Sequence, residues 1–282
     1  MKQSGRTRIV LTHMFLIFFT ILTLYPVMLV VKKSLTPGDH FERSLSPVPT
    51  KVTLDHYKAV IGSKDSAGRS LFGRQLLNSL VVALATTLVG MFLAATAAYA
   101  FSRFRFPGRA MGLSMFLVVQ MFPATLIMIP LYVLLDKLGL LNSVAGLVLV
   151  YSTTAIPFCV WMLKGYFDTI PKELEEAAWI DGATRFGMFW RVVLPLSRPA
   201  LAVTALFSFM TAWNEYILAE TFLNEETAYT LPVMLQHYVG SHSTSWGSFA
   251  AGSVLVSIPV MALFYVLQKH LVGGLTAGGV KG

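Results

Sequence analysis

The sequence predicts an all-α membrane protein with six transmembrane helices. Two observations predict it: charged side chains are scarce, and those present gather in short blocks between long uncharged runs. Of 282 residues, 55% are hydrophobic and 13% are charged; an average soluble domain carries about a quarter charged. An α-helix needs about 20 mostly apolar residues to cross the hydrocarbon core, so each uncharged run of that length is a candidate span. Six qualify: 11–31, 76–101, 111–135, 144–163, 199–219 and 247–267. The net charge of +8 would raise nucleic acid as a partner in a soluble chain. Here the basic residues serve to orient the spans, and membrane lipid is the expected environment.

The first run has the position of a signal peptide. It is too long for one, and Lys32 and Lys33 follow it in place of a small-residue cleavage site, so it reads as a retained helix. Residues 1–10 hold Lys2, Arg6 and Arg8 without an acid, and the loop after the second run holds Arg103, Arg105 and Arg109 without an acid. The segment 269–282 holds Lys269 and Lys281. On the other side, 136–143 carries one charge of each sign, and 220–246 carries three acids and no Lys or Arg. These short loops predict that both termini are cytoplasmic. The long loop 32–73 would then be external although its basic residues outnumber its acidic ones; long segments weigh less in this rule.

Pro26, Pro123, Pro130, Pro157 and Pro259 lie inside candidate spans, where neighbouring helices or water can satisfy the freed carbonyl groups. Gly90, Ala94, Ala95, Ala97 and Ala98 give the second span a small face. That face fits either an interface around a pathway or ordinary helix packing. The single cysteine, Cys159, sits in an apolar run; it allows no internal disulfide and reads as a small buried hydrophobe.

The inside loop 164–198 is the most informative stretch. Pro171 suits the first turn of a helix. Glu173, Glu175 and Glu176 then place negative charge at the positive end of its dipole. Leu174, Ala177, Ala178 and Asp181 share one face by spacing. Gly182 ends the helix cheaply in left-handed geometry. A second short apolar helix runs through Phe186, Phe189, Trp190 and Val193, and Pro195 and Pro199 lead out of it. A helix–turn–helix with a small face and an acidic start has the form of a docking element. A helix resting on the bilayer surface is the competing reading, but that would favour a basic polar face.

The stretch Glu176–Ala177–Ala178, three residues, Gly182, nine residues, then Val192-x-Leu194-Pro195 resembles the EAA loop of ABC-importer permeases; Val192 stands where the pattern has isoleucine. The resemblance extends along the chain. WNEY at 213–216, AYAFSRFRFPG at 98–108 and QMFPA at 120–124 are similar to carbohydrate permeases of that family. The end, LTAGGVKG at 275–282, looks like that of the smaller maltose/maltodextrin-type permeases, which lack the large extra external domain.

The resemblance implies a type I ABC importer permease fold in the bacterial inner membrane. It implies a heterodimer with a second permease, two copies of an ATPase that bind ATP and Mg, and a periplasmic sugar-binding protein. The chain would bind no cofactor and catalyse no reaction itself; it has no G-x-x-x-x-G-K-[ST] loop. Glu175, Glu176, Ala177, Ala178, Asp181, Gly182 and Ala183 become the expected ATPase-coupling residues. Leu275, Gly278, Gly279 and Lys281 become the expected tail contact to the ATPases, although composition alone describes 275–282 as too polar and glycine-rich for a helix. Asn224, Glu225, Glu226 and Tyr229 are the expected contacts to the binding protein.

A pathway for a polyol needs polar groups and aromatic faces. The candidates are Asn78, Gln120, Tyr151, Trp213, Asn214 and Glu215. Glu215 is the only acid well inside a span; it reads either as functional or as paired structurally. His237 and His242 without further ligands are weak signs of a metal, and none is expected. The expected cargo is maltose or maltodextrin, with another oligosaccharide such as trehalose as the alternative. An ion-coupled secondary transporter is the rival class; it would call for several intramembrane ionisable groups and would leave the EAA loop unexplained.

Overall fold

A computed structural model describes residues 3–39, 44–240 and 244–279, with 3–6, 124 and 269–279 described by backbone alone. His242 and Lys281 lie outside the described residues. In chain order the helices are α1 (Gln3–Leu35), α2 (Asp55–Ile61), α3 (Leu71–Arg103), α4 (Arg109–Met121), α5 (Ala124–Lys137), α6 (Val144–Phe167) and α7 (Glu173–Ile180). There follow α8 (Arg185–Met188), a π-helical turn (Phe189–Val193), α9 (Leu194–Leu196), α10 (Arg198–Asn214), α11 (Ile217–Phe222), α12 (Leu231–His237) and α13 (Trp246–Gly279). Among the described residues the only extended pairings are two isolated bridges, Lys64 with Ser70 and Val239 with Thr244.

Four helical stretches are long and apolar enough to cross a membrane: Thr7–Leu35, Leu71–Arg103, Val144–Phe167 and Trp246–Gln268. Two bent pairs raise the number to six if each pair is one span. The all-α membrane class is therefore what the chain forms, but two of the six expected spans are not single helices.

The run 111–135 breaks at Phe122–Pro123, and the helices on either side are bent by 99°. Pro123 has no N–H to donate and disfavours helical geometry at the residue before it. Phe122 is accordingly extended, with φ −74° and ψ 127°. The run 199–219 also breaks: α10 stops at Asn214, Glu215 is extended (φ −69°, ψ 127°), and α11 restarts at Ile217. At the other end of α10, the stretch Arg185–Leu196 meets it at 80°, with Pro195 and Pro199 flanking the corner at Ser197. A further correction concerns the C-terminal end. α13 continues through 275–279, which composition had marked as non-helical. A glycine costs a helix interior about 1 kcal/mol, but adding turns to an existing helix avoids the unfavourable nucleation step.

The chain forms two compact units, Met1–Gly73 with Met234–Ile258, and Arg74–Val233 with Pro259–Gly282. In the first unit, His56 is buried and its Nε2 lies 3.0 Å from the Thr36 carbonyl oxygen. The imidazole packs so closely on Gly247 that a Cβ there would come within 2.1 Å of it. α1 exposes apolar side chains all round from Ile9 to Val31, the character of a helix whose surroundings are lipid or protein.

In the second unit the core joins α3, α6 and the π-helical turn through Ala94, Ala98, Tyr99, Cys159, Leu163, Phe167 and Val193. The small face of α3 is consumed here. Ala94 and Ala98 are fully buried, and a Cβ on Gly90 would lie 3.7 Å from Ser208 Oγ of α10. Of the two readings of that face, the structure shows packing between helices of the same chain.

Candidate functional site

The loop 168–197 forms the helix–turn–helix read from the sequence. α7 is eight residues long and carries Glu173, Glu175 and Glu176 in its first turn. Gly182 closes it at φ +84°, and its N–H donates to the Trp179 carbonyl at 3.0 Å. α8 begins under a Thr184 cap, whose Oγ1 accepts from Gly187 N at 3.1 Å.

The two faces of α7 differ. Glu176, Ala177, Asp181 and Gly182 are exposed, and Ala178 and Ala183 are half-buried. Beside them Ile180 is 85% and Phe186 72% exposed. Exposed apolar side chains grouped on a polar loop mark a contact surface. Glu175 points the other way. It is buried, its Oε1 accepts from Arg103 Nε at 2.5 Å, and its Oε2 accepts from the Tyr99 hydroxyl at 2.8 Å. Adjacent helical positions differ by about 100°, so neighbouring glutamates cannot share a face.

The remaining guanidinium nitrogens of Arg103 are also engaged. Nη1 donates to Ser102 Oγ and Nη2 to the Ile170 carbonyl, both at 3.0 Å. Ser102 in turn donates to Asp168 Oδ1 at 2.6 Å, and Lys164 donates to Oδ2 at 2.5 Å. Burial pushes the Asp168 carboxyl up, but the hydrogen bonds from Lys164 and Ser102 outweigh it and hold the pKa below the usual carboxylate range. The Arg185 guanidinium lies 5.0 Å from the Phe104 ring centroid and 5.9 Å from that of Trp179. Along the sequence Arg103 reads only as an orienting charge, and Tyr99, Ser102 and Asp168 carry no signal of their own. The signal within reach was Lys164 and Asp168 at i, i+4.

Of the pathway candidates, Tyr151 and Glu215 are in direct contact, and Gln120 reaches the same helix α6 at Thr154. Trp213 is buried and stacks on Phe209 with centroids 5.4 Å apart. Asn214 is exposed; Gln120 is exposed as well, and its Nε2 donates to the Thr154 carbonyl at 3.1 Å. Glu215 is paired within the chain. Its Oε1 accepts from Leu218 N at 2.9 Å, and its Oε2 accepts from Ala219 N at 3.0 Å and from the Tyr151 hydroxyl at 2.6 Å. The helix break leaves the first amides of α11 without carbonyl partners, and the carboxylate supplies them.

Asn78 lies within α3, and its Nδ2 donates to the Thr227 and Tyr229 carbonyls at 3.0 and 3.1 Å. Gln75 Nε2 donates to the Glu226 carbonyl at 3.0 Å, and Ser79 Oγ accepts from Leu231 N at 2.7 Å. At the other end of the same loop, Asn142 Oδ1 accepts from Asn224 N. The segment 224–231 is thus tied to α3 and to Asn142 while Asn224, Glu225 and Glu226 stay exposed. Burial, and then the charges of Glu220 and Glu226, raise the pKa of the Tyr229 phenol. Leu275, Gly278 and Gly279 lie in the last turns of α13.

Long apolar helices, two bent pairs and a polar helix–turn–helix with exposed apolar tips are the parts of a multi-pass membrane permease. The chain belongs to the family described as "Binding-protein-dependent transport system inner membrane component", which matches residues 69–276, and it is a permease subunit of an ABC importer. It is 40% identical over 293 aligned positions to the maltose/maltodextrin transport system permease protein MalG of Escherichia coli (strain K12), covering 99% of this chain and 98% of that one. It is 39% identical over 283 positions to the galactooligosaccharides transport system permease protein GanQ of Bacillus subtilis (strain 168), covering 100% and 99%. Among solved structures, a chain of a bacterial ABC transporter involved in the import of the acidic polysaccharide alginate superposes with a TM-score of 0.77. That chain is 25% identical, with 95% of this chain and 97% of that chain covered.

Proposed function

We propose that this chain is the smaller of two permease subunits in an importer that moves maltose or maltodextrins inward by alternating access. Two copies of a separate ATPase bind ATP and Mg, and a periplasmic binding protein delivers the sugar. Both termini are cytoplasmic. Glu176, Ala177, Ala178, Asp181, Gly182 and Ala183 form the surface that docks on the ATPase. Leu275, Gly278, Gly279 and Lys281 lie between the ATPases, and Asn224, Glu225, Glu226 and Tyr229 face the binding protein. The chain itself is not an enzyme and holds no cofactor.

The observation that carries this reading is the split of α7 into an exposed small and apolar face and a buried Glu175. Ile180 at the end of α7 and Phe186 on α8 are exposed, as the apolar tips of a docking surface would be. The cargo rests on the names of relatives. Because GanQ is as similar as MalG, galactooligosaccharides are the second reading.

The test is uptake in cells carrying this chain with its partner subunits. Uptake that follows ATP and persists when ion gradients are collapsed supports the reading; uptake that follows an ion gradient contradicts it. Competition by unlabelled maltodextrins against galactooligosaccharides decides the cargo.

A further inference from the structure

We infer that Arg103 is a positioning residue for energy coupling: with Tyr99 it clamps the buried face of α7 to the end of α3, so that any displacement of α7 is delivered to the second span. This rests on the coupling role proposed above for the exposed face of α7.

Four observations carry it. First, α7 has eight residues, too few to hold a helix or a fixed position alone. Second, Arg103 and Glu175 form an ion pair with side chains only 7% and 11% exposed, where an unmatched charge is costly. Third, the guanidinium uses all three nitrogens on three different segments: Glu175 in α7, the Ile170 carbonyl in the connector, and Ser102 in α3. Ser102 carries the network on to Asp168 and Lys164 at the end of α6. Fourth, the Tyr99 hydroxyl binds the second oxygen of Glu175, and its ring packs on Phe189 of the π-helical turn with centroids 4.9 Å apart. The carboxylate is therefore held by two side chains from consecutive turns of α3. Glu175 is buried and both of its oxygens are taken by these two side chains, whereas Glu176 next to it is exposed.

The experiment uses the complete complex in lipid, with partner permease, ATPase and loaded binding protein, and reads sugar moved per ATP hydrolysed. Retention of the ATPase on purification serves as the assembly check. Losing a charge-assisted contact shifts the seated-to-unseated ratio of α7 by about tenfold or more. Arg103→Gln and Glu175→Gln should each lower sugar moved per ATP severalfold. Combined, they should cost clearly less than the sum of the two, because both remove the Arg103–Glu175 contact. Tyr99→Phe keeps both charges and should produce a smaller fall; it decides the matter if the charge variants do not assemble. A wild-type ratio in Tyr99→Phe and Glu175→Gln, or additive losses in the double variant, would overturn the clamp. Glu176→Lys separates the two levels of the argument. If it uncouples while the clamp variants do not, the docking role stands and the clamp is refuted. If it leaves coupling intact, the docking role falls and the clamp with it.

Discussion

Replacing Glu215 with Gln distinguishes a helix cap from a sugar contact. The carboxylate accepts three hydrogen bonds, from Leu218 N, Ala219 N and the Tyr151 hydroxyl, shared between its two oxygens. A Gln side chain has one oxygen. Whichever way it turns, at least one main-chain N–H of α11 faces an NH2 group instead of an acceptor. Leaving a buried donor unsatisfied costs about 1–3 kcal/mol, and the surviving bonds lose their charge assistance. We expect a loss of about 2–3 kcal/mol for Glu215→Gln, more for Glu215→Ala, and about 1.5 kcal/mol for Tyr151→Phe, which removes one of the three donors to the carboxylate and leaves both main-chain amides paired. The assay is thermal unfolding of the purified complex, with transport per assembled complex measured in parallel. Melting temperatures should fall in the order Tyr151→Phe, Glu215→Gln, Glu215→Ala. Unchanged melting temperatures with lost transport would refute the capping account and return Glu215 to the pathway.

Three further outcomes follow from particular contacts. A Cβ on Gly146 would lie 2.2 Å from the Leu140 carbonyl oxygen, a main-chain atom that cannot swing aside; Gly146→Ala should cost about 1–3 kcal/mol and reduce the amount of folded chain recovered from membranes. Asn78→Ala removes both side-chain bonds to the Thr227 and Tyr229 carbonyls; it should speed proteolytic cleavage within 224–230 and lower binding-protein-stimulated hydrolysis while basal hydrolysis continues. Asp168 has a lowered pKa in the folded chain, so its contribution is complete above the unfolded carboxylate value of about 3.9 and is lost as pH falls through the lower folded value. Acid unfolding of Asp168→Asn should therefore show a shallower pH dependence below about pH 4 than the native chain.

How far the sequence went is clearest at particular residues. Hydropathy located the six runs, since it sums over about 20 positions and bilayer thickness sets that length. It is blind to a backbone break inside a run. A proline such as Pro123 can be tolerated inside a span, and WNEY at 213–216 contains neither Pro nor Gly, so nothing in the sequence marks Glu215 as the residue where α10 ends. The same break explains why an acid sits in an apolar run: the restarting helix needs acceptors for its amides. The glycine at 182 was legible because positive φ has a residue preference. The division of labour between Glu175 and Glu176 was not, because composition treats neighbours alike while helical geometry separates them. Arg103 shows the limit most plainly. Its partner Glu175 is 72 positions away, and charge counting along the chain gave it only an orienting role. Gln75, Asn78 and Ser79 were opaque for a related reason: what they bind is main chain of a distant loop, which has no residue signature.

We propose above that this chain couples ATP hydrolysis by a partner to delivery of a maltose-type sugar. The most direct measurement reconstitutes the chain in lipid with a maltose-type partner permease, its ATPase and its binding protein, and compares ATP hydrolysis with and without maltose-loaded binding protein. The account predicts strong stimulation that is lost in Glu176→Lys. A folded chain that assembles with the ATPase yet shows no stimulation by any loaded binding protein would contradict it.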